Sequence, residues 1–191
     1  MAAHPTRVRV WDRFVRVFHW SLVASFATAY FVTEHIGLVH KGAGYLALSL
    51  VAARCVWGFI APGPHARFAG FVPTPGRLRT YLGQLIRGRE PRHLGHNPAG
   101  AVMILYLLAA VVVIGVTGHL LTTDAFWGSE LVETLHVTTV DVTVIAVIVH
   151  VAANLYESIR HRENMFKAMV TGEKNAPPKA DDGSAAERAW P

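Results

Sequence analysis

The sequence predicts an all-α membrane protein, a transmembrane four-helix bundle with both termini in the cytoplasm and a short interfacial helix in the cytoplasmic loop. Three observations predict this fold class: an apolar composition, four apolar runs of membrane-spanning length, and an uneven distribution of lysine and arginine. Of the 191 residues, 52% are hydrophobic and only 16% are charged. This composition is typical of membrane proteins rather than of soluble domains.

The four apolar runs lie at about 15–34, 41–61, 98–121 and 134–157. Each approaches the ~20 residues that an α-helix needs to cross a hydrocarbon core of ~30 Å. The first run follows basic residues, as in a secretory signal, but its apolar stretch is long and three more spans follow it. We therefore expect all four runs to be retained in one membrane domain, residues 1–174, followed by a disordered tail, residues 175–191.

Lysine and arginine are concentrated on one side of the predicted bundle. These residues are Arg7, Arg9, Arg13 and Arg16 before the first span, Arg67, Arg77, Arg79, Arg87, Arg89 and Arg92 between the second and third, and Arg160, Arg162, Lys167, Lys174, Lys179 and Arg188 after the fourth. The other two loops hold only Lys41. Because basic loops stay in the cytoplasm, we expect both termini there. The formal charge of +5 then reflects topology, and we find no nucleic-acid-binding motif.

Several helix boundaries carry recognisable signals. Asn97 and Pro98 predict the N-cap and first turn of the third span. Thr74 and Pro75 predict the same for a helix in the cytoplasmic loop whose leucines and arginines suit the inner membrane surface, although a charged loop helix with no binding role also fits. Gly172 predicts the end of a short amphipathic helix after the fourth span.

Histidine is the residue type that indicates a site. His136 and His150 begin and end the stretch HVTTVDVTVIAVIVH of the fourth span. Fourteen residues return a helix to within about 40° of the same face, ~21 Å further along its axis. Ionisable residues inside a span are costly and usually face the bundle interior, so each histidine needs a partner at its own depth.

Two further histidines supply partners at matching depths. His40 stands at the outer start of the second span, as His136 does in the fourth. His19 lies ~22 Å from the outer end of the first span, nearly the depth of His150. Two such pairs are what two bis-histidine b-type haems require, with neutral imidazole nitrogens on both sides of each iron. Because Cys55 is the only cysteine and there is no C-x-x-C-H motif, each haem would be held without covalent links.

Arg54 follows His40 by fourteen residues, so it should lie on nearly the same helix face at the inner level. There its guanidinium could pair with a haem propionate. The alternative is an arginine that extends to the cytoplasmic interface. Nearby glycines, including Gly115 and Gly118, would let the helices approach a flat macrocycle or would simply be small-residue helix contacts.

Three other ionisable residues have more than one reading. His35 and His119 also lie near the outer face and could replace His40 as a ligand, but a solvated or hydrogen-bonded loop histidine is the simpler reading of each. Asp141 lies about 140° around the fourth helix from His136. It could be a proton-relay acid, or a carboxyl group that bridges to a threonine or to a neighbouring helix.

Together these residues resemble a known family. The segments WDRFVRVFHW, HKGAGYLALSLVAARCVWGF, GHNPAG and HRENMFKAMVTGEK, with LH followed fourteen residues later by HV, are similar to the bacterial cytochrome b561 family, which includes the cytochrome b subunits of nickel-iron hydrogenases. The resemblance covers roughly residues 8–174. It implies a four-helix di-haem cytochrome with His19 and His150 on the cytoplasmic-side haem and His40 and His136 on the periplasmic-side haem. It also implies electron exchange with a membrane quinone, ubiquinone or menaquinone, and with a periplasmic partner.

Three classes of function follow. The first is an electron conduit between quinone and a periplasmic protein such as a c-type cytochrome or a hydrogenase-like enzyme; superoxide oxidation with electrons passed to quinone is its enzymatic alternative. The outer acids Asp124, Glu130 and Glu133, against Lys41 alone, favour a cationic partner. A histidine-based metal-ion transporter is the second class, disfavoured because few acids or thiols lie between the two histidine levels. A passive anchor for a peripheral enzyme is the third, and a homodimer is left open.

Overall fold

The computed structural model describes residues 7–31 and 37–176, and it is mostly helical. In chain order its elements are β1 (Arg7–Arg9), α1 (Arg13–Phe31), α2 (Gly37–Ile60), α3 (Phe68–Phe71), α4 (Pro75–Ile86), α5 (Pro98–Leu120), α6 (Glu130–Arg160), α7 (Met165–Thr171) and β2 (Glu173–Asn175). The predicted predominance of helix is confirmed, with one small sheet in addition.

Three helices, α2, α5 and α6, are long and apolar enough to cross a membrane. The helix α1 has 19 residues and is not among them, so the fourth span stays a prediction. The predicted end of the first span at residue 34 lies outside the described residues. The long helices pack in the order α1, α2, α5, α6, each mainly against the next. Phe18, Val51 and Val111 form part of the core that joins the first three.

The predicted helix starts and stops are found where the sequence signals them. Asn97 Oδ1 accepts a hydrogen bond of 2.7 Å from the Gly100 N–H, and Pro98 begins α5. Thr74 Oγ1 accepts from the N–H of Arg77 at the start of α4. Gly172 ends α7 in the left-handed conformation, φ 85°, which glycine adopts without a steric penalty.

Two helices extend beyond the apolar runs that predicted them. The helix α6 begins at Glu130 rather than at 134 and ends at Arg160 rather than at 157. The helix α2 begins at Gly37, so Lys41, which we expected in an outer loop, lies in its second turn. Backbone hydrogen bonding continues beyond the runs that hydropathy marks, into the partly polar ends of α6 and into residues 37–40 of α2, so both helices are longer than predicted.

A two-stranded antiparallel sheet, which the apolar pattern does not predict, joins the two ends of the described chain. In it, β1 pairs with β2 in a register that places Arg7 opposite Asn175, a residue that we expected in the tail. The N–H groups of Val10 and Trp11 donate to the Gly172 carbonyl at 2.8 and 3.1 Å. The side chains of Val10 and Trp11 pack with Ala61, Ala66 and Ala168 in a second apolar cluster. The sheet therefore joins the segment before α1 to the segment after α7.

Candidate functional site

His40 on α2 and His136 on α6 approach each other at the outer level. Their ring centroids are 6.4 Å apart and their planes are inclined by 73°. A metal–imidazole bond of about 2 Å and a ring radius of about 1 Å on each side place the centroids of two trans imidazoles roughly 6 Å apart. The separation therefore has the size that bis-histidine ligation of one metal ion requires.

Hydrogen bonds define the protonation of both outer imidazoles. His40 Nδ1 lies 2.9 Å from the Ala29 carbonyl oxygen, and His136 Nδ1 lies 3.1 Å from that of Ile114 and 3.0 Å from Thr117 Oγ1. Because a carbonyl can only accept, each Nδ1 carries a hydrogen, and in a neutral imidazole Nε2 is then the nitrogen with the free lone pair. This is the arrangement that orients a metal-binding histidine.

Gly118 of α5 provides the space that the His136 ring occupies. A Cβ at this position would lie 3.0 Å from His136 Cε1. A Cβ at Gly115, one turn earlier, would lie 3.1 Å from the Leu48 side chain, so that glycine serves the packing of α5 on α2. Gly118 thus belongs to the outer histidine site, whereas Gly115 is a helix contact.

His19 on α1 and His150 on α6 mark the inner level. His150 Nε2 lies 3.3 Å from Asn154 Nδ2. His19 Nδ1 is buried, and no described residue provides it with a hydrogen-bond partner. Buried polar atoms are normally paired, so an unpaired imidazole nitrogen suggests that this site accommodates a further group.

Arg54 is buried, with 3% of its surface exposed, and does not extend to the cytoplasmic interface. Its Nη2 donates to the Ala66 carbonyl at 3.0 Å, and the guanidinium lies 5.1 Å from the centre of the Phe68 ring. Its Nη1 has no partner within the described part of the chain. A buried cation with an unpaired donor is costly unless an anion pairs with it, so Arg54 fits the requirement for a propionate partner.

Sequence reasoning missed a cluster beneath the inner level, which we call the inner cap: Trp11, His65, Phe71, His96 and Lys174. The His96 ring lies 4.5 Å from that of Trp11 and 4.9 Å from that of Phe71, and Lys174 Nζ lies 5.8 Å from the Trp11 ring centre. Burial, assisted by neighbouring cations, lowers the pKa of His96 to about 3. Burial and the Lys174 charge also lower the pKa of His65. The GHNP segment, which contains His96, was interpreted as a helix start and as one of the family motifs, but not as part of such a cluster.

The remaining candidates lie outside the histidine pairs. His119 Nδ1 lies 3.0 Å from the Tyr45 hydroxyl group, which agrees with the reading of a hydrogen-bonded histidine. His35 lies outside the described residues. Asp141 is exposed, and the bridge to a threonine or neighbouring helix is not formed with any described residue. Within residues 7–31 and 37–176, no group of three or more His, Cys, Asp or Glu is placed to hold a metal ion, which gives the transporter hypothesis no support.

The acidic residues of the predicted outer surface are accessible. Asp124, Glu130 and Glu133 are exposed around the start of α6, and Lys41 is exposed on α2. A shallow groove there is lined by Glu130, Glu133, Thr134, Val137 and Thr138. This end of the molecule therefore presents a largely negative surface.

Apolar helices of spanning length and imidazoles paired between them define a class, the multi-pass membrane proteins that bind a cofactor within a helical bundle. The family model for prokaryotic cytochrome b561 matches residues 10–172, and the chain belongs to this family. The resemblance drawn from the sequence motifs is therefore confirmed. Family membership makes it a haem b protein of membrane electron transfer.

Similar proteins carry a more specific description. Each of three is named a probable Ni/Fe-hydrogenase B-type cytochrome subunit. The relative from Rhodobacter capsulatus is 24% identical over 88% of this chain and 82% of its own length. Those from Azotobacter vinelandii and Rhizobium leguminosarum bv. viciae are 25% and 24% identical, each over 87% of this chain and 88% of the relative. No solved structure matches the chain.

Proposed function

We propose that this protein is a di-haem b-type cytochrome that transfers electrons between the quinone pool and a redox partner on the periplasmic side of a bacterial inner membrane. His40 and His136 hold the outer haem, and His19 and His150 hold the inner one. The outer pair carries the proposal, because its rings are 6.4 Å apart and each Nδ1 is bonded to a carbonyl, which leaves Nε2 for iron. When bound, haem supplies the one-electron chemistry that these side chains lack.

The chain's own residues determine where the two haems are held. His136 and His150 are both on α6, so this helix sets the ~21 Å between the two levels. Arg54 pairs with a propionate of the inner haem; its buried guanidinium and unpaired Nη1 support this role. Phe68 and Phe71 cover the guanidinium and keep water from it.

The bundle has four spans and both termini in the cytoplasm. Support comes from the basic loops and from α4, which has exposed Leu82 and Ile86 beside exposed Arg79, as an interfacial helix requires. The acids around the start of α6 then face the periplasm. Within the membrane, the protein exchanges electrons with a quinone, either ubiquinone or menaquinone.

The periplasmic partner presents a cationic surface. Asp124, Glu130 and Glu133 are exposed at the outer end, where they would attract basic residues and repel an anion. A hydrogenase-like enzyme is the first candidate, because the relatives are named for hydrogenase, and a c-type cytochrome is the second. The same charges disfavour superoxide as a substrate.

Pigment analysis of the purified protein tests this proposal. Expression with ample haem supply should give a reducible b-type spectrum and two haems b per chain, and a quinol should reduce them. The variants His136→Ala and His150→Ala should each lose one haem, from the outer and the inner level respectively, and retain most of the other. A colourless preparation would leave only an anchor or transporter role, and loss of the same haem signal in both variants would contradict separate sites.

A further inference from the structure

The face of α6 that points away from the histidines carries an unpaired acid. At 100° per residue, Asp141 lies about 140° from His136 and about 180° from His150. Its side chain is exposed, and none of the hydrogen bonds or ion pairs among the described residues includes it. No described helix covers this side of α6, because α6 stands at the end of the row formed by α1, α2, α5 and α6.

Asp141 is also deep within the predicted span. It lies five residues, ~8 Å, inward of His136 and nine residues, ~14 Å, outward of His150. Its neighbours on the same face are apolar and exposed: Val137 by 50%, Ile145 by 61% and Ile148 by 63%. A carboxylate that faces hydrocarbon at this depth is costly, so we expect another polypeptide to cover it.

The charges on this face indicate what kind of polypeptide that is. Glu130 lies on the same side at the outer end, Glu133 adjoins it, and Thr134 and Thr138 lie between Glu130 and Asp141. The one basic residue of α6 other than histidine is Arg160, at the opposite end. A second copy of this chain would bring these acids against themselves, whereas a basic helix would neutralise them.

We propose that this face, which we call the Asp141 face, docks a transmembrane helix of a partner protein that carries a lysine or arginine at the depth of Asp141. The ion pair forms among apolar side chains, where no water competes with it, and it fixes the depth at which the two helices meet. The docked helix leaves the histidine side of α6 uncovered. The proposal does not depend on the assignment of the haem ligands.

Synthetic single-span peptides test the proposal. The full-length protein, fluorescently labelled in lipid nanodiscs, is titrated with a labelled polyleucine peptide that has one lysine at the depth of Asp141, or leucine at that position. Energy transfer should show about tenfold tighter association of the lysine peptide, as expected for an interhelical polar contact of 1–2 kcal/mol. Asp141→Leu should remove this difference, and Asp141→Glu should retain it.

Two controls make the outcome decisive. Glu173→Gln removes an acid of β2, away from α6, and should leave binding of the lysine peptide unchanged, and the absorption spectrum of each variant reports whether the bundle is intact. Equal association of both peptides with the wild-type chain, or undiminished binding of the lysine peptide to Asp141→Leu, would overturn the proposal. Energy transfer between two copies of the chain that Asp141→Leu abolishes would also overturn it, because the face would then belong to a second copy.

Discussion

The imidazole of His136 is positioned by three residues of α5, a helix to which we assign no ligand. The Ile114 carbonyl and the Thr117 hydroxyl group meet Nδ1, and the missing side chain of Gly118 leaves room for the ring. Thr117 in turn donates to the Val113 carbonyl at 2.7 Å, so its oxygen can accept from the imidazole. The outer site therefore depends on the packing of α5 against α6 as much as on the ligands themselves.

The substitution Gly118→Ala should weaken the outer site selectively. The new methyl group would lie 3.0 Å from His136 Cε1, so the ring has to move. We expect outer haem affinity to fall by about tenfold, the lower end of the effect of disturbing the support of a metal ligand, with the inner haem retained. Haem titration followed by absorption would measure this. Gly83→Ala, which meets no atom within 4 Å, is the control; identical titrations of the two variants would argue against a ligand at His136.

The sequence predicted the depth pairing of these residues but not their contacts. A spacing of fourteen residues can be counted along the chain, so helix geometry alone places His136 and His150 on one face. The carbonyl partners could not be predicted, because every residue has a carbonyl and only packing determines which one meets an imidazole. The position of the Arg54 side chain was ambiguous for a related reason. An arginine at this point of α2 can be buried beside Phe68 or can extend to the interface, and the sequence is the same in both cases.

The helix boundaries that a distinctive residue marks were predicted well from the sequence. Asn97 and Gly172 act through a side-chain oxygen and through freedom at positive φ, and both mark helix ends as predicted. The three-residue strands RVR and EKN were missed, because charged residues alternating over so short a length do not indicate a strand. Their pairing depends instead on tertiary contacts around Glu163.

Replacing Glu163 should weaken the pairing of β1 with β2. Glu163 is 6% exposed, accepts from Arg92 at 2.9 Å, and accepts from the Asn175 N–H at 2.7 Å. The Arg92 side chain is partly exposed, so Glu163→Gln should cost about 2 kcal/mol of unfolding free energy, less than the 3–5 kcal/mol of a fully buried pair.

Thermal unfolding, together with limited trypsin cleavage near β2, would measure this effect. Glu173→Gln is the matched control, because its contact with Arg7 is longer, 3.7 Å, and exposed, and should contribute under about 0.5 kcal/mol. Equal losses of unfolding free energy in the two variants would show that the contacts of Glu163 stabilise the chain no more than the exposed contact of Glu173 does.

The inner cap should make stability depend on pH. The pKa of His96 is about 3 in the folded chain and ordinarily 6.5, so below pH 6.5 the unfolded chain takes up a proton that the folded chain excludes. This contribution to stability is complete above pH 6.5 and is lost progressively as the pH falls toward 3. At pH 5 the loss would be at most about 2 kcal/mol.

Melting temperatures of wild type and His96→Gln at pH 7.5 and pH 5 would measure the dependence on His96. The His96→Gln variant should have a lower melting temperature than wild type at pH 7.5, but its melting temperature should fall less at pH 5. Part of the fall should remain, because the pKa of His65 is also lowered. His119→Gln, outside the cap, should behave as wild type does. An equal acid-induced loss in His96→Gln would place the titrating group elsewhere.

At the scale of the whole molecule, α6 has two faces with different tasks. One presents His136 to His40 of α2 and also carries His150, and the other presents the exposed Asp141, which is bonded to no other described residue. A row of helices that ends in α6 can therefore hold its cofactors within the chain while a partner helix binds outside it. The family assignment, which covers residues 10–172, includes both faces.

The orientation of this row in the membrane can be measured with single cysteines in a Cys55→Ser background. Arg9, Leu38, Arg89 and Ala125 are exposed, and they lie before α1, at the start of α2, after α4 and after α5. If α1 crosses the membrane and basic segments stay inside, cysteines at positions 38 and 125 should react with an impermeant maleimide on spheroplasts. Those at positions 9 and 89 should react only after the membrane is opened. Equal labelling at positions 9 and 38 from one side would mean that α1 does not cross, and His19 could then not share the inner level with His150.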